Sequence, residues 1–423
     1  MSAIVIRNGR IIDPANKRDE IADLFIADGK IAKEIDKAEV IDATGLIVAP
    51  GLIDIHVHFR EPGFAWKETI ESGARCAAAG GFTTVVCMPN TSPVADSPST
   101  IALIKDRAAE KACVNVLPTG AISKNLAGEE LAPIGSLAQA GVVAITDDGH
   151  CVQNNELMRR AVEYARMVGV PVLDHCQDYN LVGNGVVHEG YWSTLLGLPG
   201  WPSAGEEAIV ARNILLAELC DHHIHCQHIS AAGSVRLLRE ARARGVKISG
   251  EVCPHHLALT DESTQNFDTN YKINPPLRTQ ADIEALLAGI ADGTLDILAS
   301  DHAPHAQFEK EVEFDQAPFG ILGLETELGL FLDLLVHKTK TIELPRLIEM
   351  FTANPARLLN LHAGNLSLGA SADVTLIDPN LEWTYRLGES ASLSRNSPFD
   401  GWTMKGRAVR TIVRGETVWN LTN

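Results

Sequence analysis

The stretch from residue 46 to residue 63 reads Leu-Ile-Val-Ala-Pro-Gly-Leu-Ile-Asp-Ile-His-Val-His-Phe-Arg-Glu-Pro-Gly. Its apolar first half predicts a buried strand, and this strand ends in His56-Val57-His58. Because side chains alternate along a strand, both imidazoles point to the same side. Two neutral imidazoles that converge at a strand end suit a divalent transition metal such as zinc. Two surface histidines near a turn would give the same pattern, so the decision depends on further ligands elsewhere.

Composition and charge place the chain among soluble globular proteins. It has 423 residues, of which 45% are hydrophobic and 21% charged, which is an ordinary balance. The length fits a large barrel domain with a smaller second domain. With 36 basic and 54 acidic residues the formal charge is −18, which argues against nucleic acid and anionic membranes as partners. A small anionic substrate is still compatible, because local cations can dominate within a site.

The cysteines and the apolar segments indicate a reducing compartment. The eight cysteines are scattered, with no CxxC pair, which favours buried free thiols. We find neither a basic segment followed by an apolar core at the start nor an apolar stretch of about 18 residues that could span a membrane. We therefore expect a cytoplasmic protein.

Both ends of the chain are rich in short β-prone runs. Asn8-Gly9 and Asp28-Gly29 each follow an apolar run, and both pairs predict hairpin turns. The C-terminal part has similar runs, such as 373–377. We predict a small β-sandwich domain formed by residues 1–50 and 365–423.

The middle of the chain, residues 51–364, alternates between the two kinds of pattern. Besides the strand before His56, strand-like runs occupy residues 83–87, 114–117, 142–145, 170–173, 224–227, 246–249 and 297–299. Helix-like segments lie between them at residues 99–111, 155–168, 205–220, 231–244 and 280–291. This alternation predicts an α/β fold of the (β/α)₈ TIM-barrel type. An open doubly wound sheet is the alternative, but no GxGxxG follows a first strand to support it.

Polar residues follow the apolar strands at their C-terminal ends. In chain order they are Asn90, Asp147, Asp148, His175, His228, Asp301, His302 and His305. A single histidine there is commonly structural, and a single aspartate commonly caps the next helix. In a barrel, however, these strand ends converge on one mouth. Four histidines and two aspartates meeting there could hold two metal ions with a bridging water.

Several segments together resemble the amidohydrolase superfamily and, more narrowly, the long bacterial-type (class I) dihydroorotases. The resemblance covers about residues 46–370 and rests on HVHFREPG (56–63), MPNT (88–91), TDDG (146–149), DHC (174–176), QHIS (227–230), INPPLR (273–278) and SDHAPH (300–305). It implies metal ligation by His56, His58, Asp148, His175, His228 and Asp301. Asp147 is the less favoured bridging ligand, although the sequence alone leaves that register open.

The segment after the fourth strand departs from the commonest pattern of the superfamily. Many members bridge two metals with a carbamylated lysine there, whereas this chain has Asp147-Asp148 and no lysine nearby. The resemblance implies that a carboxylate bridges directly. We expect two Zn²⁺ ions bridged by Asp148 and a hydroxide, with one ion weakly held.

The resemblance also implies an activity and a substrate. Dihydroorotases interconvert N-carbamoyl-L-aspartate and L-dihydroorotate in de novo pyrimidine (UMP) biosynthesis. Asp301 would act as the catalytic residue that moves the proton between the attacking water and the ring nitrogen. Substrate binding would involve His58, Arg60, Asn90, Asn274, His305, Phe319 and Gly320. Arg60 would bind the substrate carboxylate with its guanidinium, pointing to the same side as His58 if the strand continues.

Simpler interpretations of three positions stay open. Arg60 could instead form a surface salt bridge with Glu61, and Asn274 could be only a turn-former before prolines. The pair His255-His256 is expected to be structural, because the metal ligand set is already filled.

Rival functions share the fold or the pathway. Allantoinases and dihydropyrimidinases (hydantoinases) also open cyclic amides, but they use the lysine and lack the arginine after His-x-His. An inactive dihydroorotase-like scaffold for aspartate carbamoyltransferase would be expected to have lost its histidine ligands. An active homo-oligomer, or a complex with the transferase, is compatible with the sequence.

Overall fold

A computed structural model describes residues 3–35 and 37–421. The strands, in chain order, are β1 (Ile4–Asp13), β2 (Arg18–Ala27), β3 (Lys30–Ala32), β4 (Glu39–Asp42), β5 (Ile47–Pro50), β6 (Leu52–Val57), β7 (Phe82–Cys87), β8 (Asn115–Pro118), β9 (Val172–Asp174), β10 (Val187–His188), β11 (Gly200–Trp201), β12 (Ile224–Cys226), β13 (Ile248–Val252), β14 (Ile297–Leu298), β15 (Val374–Thr384), β16 (Thr403–Val413) and β17 (Glu416–Asn420).

The α-helices are α1 (Ile70–Gly80), α2 (Pro98–Lys111), α3 (Ile134–Ala140), α4 (Asn155–Val168), α5 (Tyr179–Val182), α6 (Tyr191–Leu196), α7 (Ala204–Cys220), α8 (Ala232–Ala243), α9 (His255–Ala258), α10 (Gln280–Ala291), α11 (Gln307–Lys310), α12 (Leu324–Phe331), α13 (Leu344–Phe351) and α14 (Ala353–Leu358). The five helices named from the sequence are all present, and the bounds of α4 and α10 match the prediction. None of the helices in the described residues is long and apolar enough to cross a membrane.

Strands from both ends of the chain form one eight-stranded sheet, in the order β17-β16-β15-β5-β1-β2-β3, with β4 on β1. The two ends join where β15 pairs antiparallel with β5, Val374 lying opposite Pro50. The sheet has its own apolar core, which includes Ile6, Ile26 and Leu376. A β-rich terminal domain is thereby confirmed. Its exact bounds stay a prediction, and residues 1–2, 36 and 422–423 lie outside the described residues.

The two predicted hairpins have different outcomes. Asp28 and Gly29 have φ values of 50° and 73° and connect β2 to β3, so this turn is confirmed. The hairpin predicted at Asn8-Gly9 is wrong, because both residues lie inside β1, where the pairing register with β2 shifts. A left-handed asparagine fits a β-bulge as well as a turn. Gly9 is needed there, since a Cβ would lie 2.4 Å from Val48 Cγ2.

Among the described residues, seven further strands, all parallel, form a closed barrel surrounded by helices, while the short parallel pair β10-β11 forms a separate sheet. Strands β6, β7 and β8 pair in one group, and β9, β12, β13 and β14 in another. Single bridges from Ile145 to Gly120 and to Val172 join the groups, and a bridge from Val57 to His302 closes the ring. The (β/α)₈ fold is therefore confirmed.

The fourth barrel strand is shorter than predicted. Of residues 142–145, only Ile145 forms strand bridges. The segment is confined between Gly141, whose left-handed backbone ends α3, and the turn at Asp147. The fourth strand is thereby limited to the bridged position at Ile145.

Candidate active site

The predicted metal-ligating residues lie at the C-terminal ends of the barrel strands, where they share one mouth. His56 lies in β6, His175 directly follows β9, and His228 and Asp301 come shortly after β12 and β14. The backbones of His228 and Asp301 have φ values of 33° and 47°. Left-handed backbone is strained for residues other than glycine, and such strain clusters at functional sites.

Asp148 contacts the histidines of the first strand. Its Oδ2 lies 3.3 Å from Nε2 of His56 and 3.3 Å from Nε2 of His58. Asp301 approaches the same two rings, with Oδ1 at 3.1 Å from His58 Nε2 and 3.5 Å from His56 Nε2. All four side chains are buried. Two imidazoles and two carboxylates therefore face one another at distances of 3.1–3.5 Å.

The other oxygen of Asp148 faces a second pair of histidines. Oδ1 lies 3.5 Å from His175 Nδ1 and 3.6 Å from His228 Nε2. These two ring nitrogens are themselves only 2.8 Å apart. Asp148 thus presents Oδ2 to one pair of histidines and Oδ1 to the other pair. A carboxylate that is shared by two cations needs this arrangement.

Asp147 points away from the histidines. Its carboxylate accepts hydrogen bonds from the backbone N–H of Ile122 at 2.8 Å and of Ser123 at 2.9 Å, and from the Ser123 hydroxyl. Burial raises the pKa of Asp147 to about 6, against the opposing effect of these hydrogen bonds. The structure thus brings Asp148 among the histidines, whereas Asp147 anchors the loop after β8.

The donor set fits a metal ion. Donor atoms of His56, His58 and Asp301 all lie within 4.8 Å of one another, as do those of His56, Asp148 and His228. Among the described residues, Asp148 Oδ1 is buried without a hydrogen-bond partner, although buried polar atoms are normally paired. Imidazole and carboxylate are ligands that zinc accepts.

Two residues that the sequence did not single out, the buried Glu251 and the half-buried Gln177, hold the histidines in place. Glu251 in β13 accepts from Nδ1 of His56 at 2.6 Å and contacts Nε2 of His225 at 3.0 Å. Burial raises the pKa of Glu251, but the His56 and His225 rings outweigh it and bring the value to about 2. Gln177 Oε1 accepts from Nε2 of His175 at 2.9 Å. A charged residue within an otherwise uncharged barrel strand is the signal that could have identified Glu251.

A cavity of about 310 Å³ opens above these groups. Every residue predicted to bind substrate lines it, namely His58, Arg60, Asn90, Asn274, His305, Phe319 and Gly320. Asp148, His175, His228 and Asp301 also line the cavity, whereas His56 lies beneath it with no exposed surface.

Arg60 lines this cavity, but its backbone conformation differs from the one predicted from the sequence. The strand ends at Val57, and Arg60 has a left-handed backbone with φ 61°, so continued strand geometry is the wrong reason for its position. Its Nε donates to the carbonyl of Pro304 at 3.1 Å. Burial lowers its pKa to about 10, so the group keeps its charge. The salt bridge to Glu61 is absent among the described residues, because Glu61 instead faces Arg107 at 3.9 Å.

His305 and the Phe319-Gly320 segment form the wall beside Arg60. Nε2 of His305 donates to the Phe319 carbonyl at 2.8 Å. Arg60 Nη2 lies 3.4 Å from the same nitrogen, but both atoms are then donors, so the contact is not a hydrogen bond. The outer nitrogens of Arg60 therefore have no acceptor among the described residues. Gly320 has φ 127°, and a Cβ there would lie 2.7 Å from Ala303 Cβ, so only glycine fits.

Two asparagines complete the lining. Asn90 Oδ1 lies 2.9 Å from Nδ1 of His58, which fixes the ring that approaches Asp148. Asn274 Nδ2 donates to Gln177 Oε1 at 3.1 Å. Its Oδ1 is buried without a partner, so an acceptor remains available at the edge of the cavity.

Comparisons with known proteins agree with this geometry. The family model described as Dihydro-orotase-like matches residues 45–234, and that of the Amidohydrolase family matches residues 205–418. A dihydroorotase from Pelotomaculum thermopropionicum is 51% identical, over 98% of this chain and 98% of its own length. A dihydroorotase from Solibacter usitatus is 50% identical, over 99% of this chain and 98% of its own.

Solved structures with the same fold include two cyclic amidohydrolases. An L-hydantoinase (dihydropyrimidinase) from Arthrobacter aurescens aligns with a TM-score of 0.90 and 25% identity, covering 100% of this chain and 98% of its own. A dihydropyrimidinase from Brevibacillus agri has a TM-score of 0.87 at 25% identity, with coverage of 99% and 95%. The chain is 50–51% identical to these two dihydroorotases and 25% identical to these two hydantoinases or dihydropyrimidinases. The higher identity assigns the chain to the dihydroorotases. The chain belongs to the dihydroorotase family of the metal-dependent amidohydrolases.

Proposed function

We propose that this chain is a dihydroorotase, which closes N-carbamoyl-L-aspartate to L-dihydroorotate and reopens the ring. The observation that supports the proposal within the site is Arg60, a charged guanidinium in the cavity whose outer nitrogens have no acceptor in the described part of the chain. L-Dihydroorotate differs from the neutral rings of dihydrouracil and hydantoin by its carboxylate. A guanidinium binds a carboxylate through two parallel hydrogen bonds.

The metal of the site is proposed to be zinc, at two positions. His56, His58 and Asp301 would hold one ion, His175 and His228 the other, and Asp148 would bridge the two. Zinc bound there would supply a nucleophilic water at neutral pH and would polarise the ring carbonyl. Because the bridging group is a carboxylate of the chain itself, binding would not require carbon dioxide.

Asp301 is proposed to move the proton. Hydrolysis forms a bond from water oxygen to the ring carbonyl carbon and breaks the bond from that carbon to the ring nitrogen. The Asp301 carboxylate would accept the proton that water gives up and deliver it to the departing nitrogen. Burial raises the pKa of Asp301, but the neighbouring His56 and His58 rings outweigh it and hold the pKa below its usual range. The group is therefore a carboxylate, ready to accept.

Substrate orientation is proposed to come from two sets of groups that line the cavity. Arg60, Asn90 and His305 would take the carboxylate. Asn274 and the backbone at Phe319-Gly320 would pair with the amide edges of the ring. The unpartnered Oδ1 of Asn274 supports this role, because a ring N–H is the donor that it lacks.

The test is a comparison of substrates with one preparation of metal-loaded protein. Hydrolysis of L-dihydroorotate, dihydrouracil, hydantoin and allantoin is followed by ultraviolet absorbance. We expect turnover of L-dihydroorotate and little of the three neutral rings. Preferential turnover of a neutral ring would assign the chain to a different activity within the superfamily, and no turnover of any ring would favour the scaffold.

Assembly is a separate matter. Self-association and a complex with aspartate carbamoyltransferase stay predictions. Gel filtration of the chain, alone and with the transferase, tests both.

A further inference from the structure

Cys253, His255 and His256 form a second cluster of metal-ligating side chains, which follows β13 directly. One donor atom of each residue lies within 4.8 Å of the donor atoms of the other two. The three side chains are buried, with exposures of 0%, 1% and 2%. We call these three residues the Cys253 cluster. It has a sulfur donor, which is lacking in the His/Asp centre, the site formed by His56, His58, Asp148, His175, His228 and Asp301.

The hydrogen bonds of the two rings leave nitrogen atoms free. Nε2 of His256 donates to the carbonyl of Pro275 at 2.9 Å, so Nδ1 carries the lone pair, and this atom has no partner. Metal-ligating histidines commonly donate their other ring N–H to a carbonyl in this way. Within residues 3–35 and 37–421, His255 has no partner at either ring nitrogen. Such unpaired buried atoms are costly unless something else satisfies them.

The environment of the cluster keeps its thiol protonated unless a cation displaces the proton. Burial, together with the nearby carboxylates of Asp301 and Glu251, raises the pKa of the Cys253 thiol well above its usual range. Because the thiolate is the metal ligand, only a cation that binds sulfur strongly would displace that proton.

We propose that Cys253, His255 and His256 bind a thiophilic cation, Zn²⁺ or Cu⁺, separate from the ions of the His/Asp centre. Thiolate and imidazole ligands together select these ions over magnesium, calcium and manganese. Because His256 also holds Pro275, the ion would fix the segment that carries Asn274 at the wall of the substrate cavity. The expectation that His255-His256 is only structural would then be incomplete.

Metal analysis of the full-length purified chain tests the proposal and identifies the ion. Cys253→Ala should lose about one equivalent of metal per chain relative to the natural sequence. Cys220→Ala removes another buried thiol, at the end of α7, and should lose none. His256→Gln keeps a donor for the Pro275 carbonyl and should also lose the ion, so a folding defect of one variant does not decide the outcome.

A second readout depends on sulfur alone. Cobalt(II) added to metal-stripped protein should give a thiolate-to-cobalt charge-transfer band in the near ultraviolet, present with Cys220→Ala and absent with Cys253→Ala. This band is independent of dihydroorotate turnover, because no cysteine belongs to the His/Asp centre. Equal metal content in the natural chain and both cluster variants, with no such band, would overturn the proposal.

Discussion

Asp147 and Asp148 are neighbours in the chain, yet their carboxylates face different parts of the barrel. Oδ2 of Asp148 lies 3.3 Å from Nε2 of both His56 and His58. Asp147 instead accepts hydrogen bonds from backbone N–H groups in the loop after β8. This pair provides a matched test of the proposed metal centre, because the same substitution can be made at both positions.

Asp148→Asn should remove the bridging charge and lower kcat for L-dihydroorotate by more than about 100-fold, with loss of bound metal. Asp147→Asn should keep its metal and most of its kcat. It should instead lower the free energy of unfolding by about 1–3 kcal/mol, because a neutral amide oxygen replaces the charged acceptor of the two backbone N–H groups and the amide nitrogen cannot accept from the Ser123 hydroxyl. Metal content, kinetics and urea unfolding of both variants check this. Equal metal loss in the two would contradict the assignment.

Arg60→Met should raise KM for L-dihydroorotate by roughly 10- to 100-fold, the value of a charge-assisted hydrogen bond. Zinc content should not change, because Arg60 bonds only to a backbone carbonyl among the described residues. Arg107→Met, on the exposed side of α2, is the control and should leave KM as it is. An unchanged KM in Arg60→Met would refute the carboxylate-binding role.

Asp301→Asn should lower kcat by about 100- to 10,000-fold, because the amide cannot accept the proton. Metal content is measured in the same preparation, so that loss of a ligand is separated from loss of proton transfer. Near-normal kcat would remove Asp301 from the proposed step.

Gln177→Leu should weaken metal binding by about 10- to 100-fold, since His175 loses the group that fixes its ring. KM should also rise, because Asn274 bonds to the same oxygen. Gln177→Glu keeps that acceptor and should restore both properties. Metal titration and kinetics of the two variants distinguish a positioning role from general instability, in which Gln177→Glu would be impaired as well.

Lys310 gives a pH dependence of stability with a defined sign. Burial lowers its pKa to about 7, and Lys272 adds to the effect, whereas an unfolded lysine titrates near ~10.4. Above pH ~7 the unfolded chain therefore holds the extra proton, and the free energy of unfolding should rise with pH by up to about 1.4 kcal/mol per unit. Lys310→Met should show a smaller rise, with a remainder from Lys272, whose pKa burial lowers to about 8. Urea unfolding from pH ~7 to ~9 checks it, and parallel curves for the two chains would contradict it.

Much of the fold and the site could be predicted from local patterns. The alternation of strands and helices predicted the barrel, because each unit is specified by its own periodicity. The strand ends predicted which histidines and aspartates converge, because parallel strands bring their C-terminal ends together.

The features that could not be predicted depend on how side chains are oriented in the folded structure. The choice between Asp147 and Asp148 is set by a turn that no periodicity encodes. Glu251 and Gln177 act through the far nitrogens of His56 and His175, and such partners are recognisable only once the rings are placed. Asn8-Gly9 was misjudged because a bulge and a hairpin use the same left-handed residue.

The most direct test of the account is turnover of L-dihydroorotate by one preparation, measured as purified, after removal of metal by a chelator, and after addition of Zn²⁺. We expect turnover to vanish on chelation and to return with zinc, and Asp148→Asn not to recover. Undiminished turnover by chain that contains no metal would contradict the central claim that the histidines and aspartates at the barrel mouth act by binding metal.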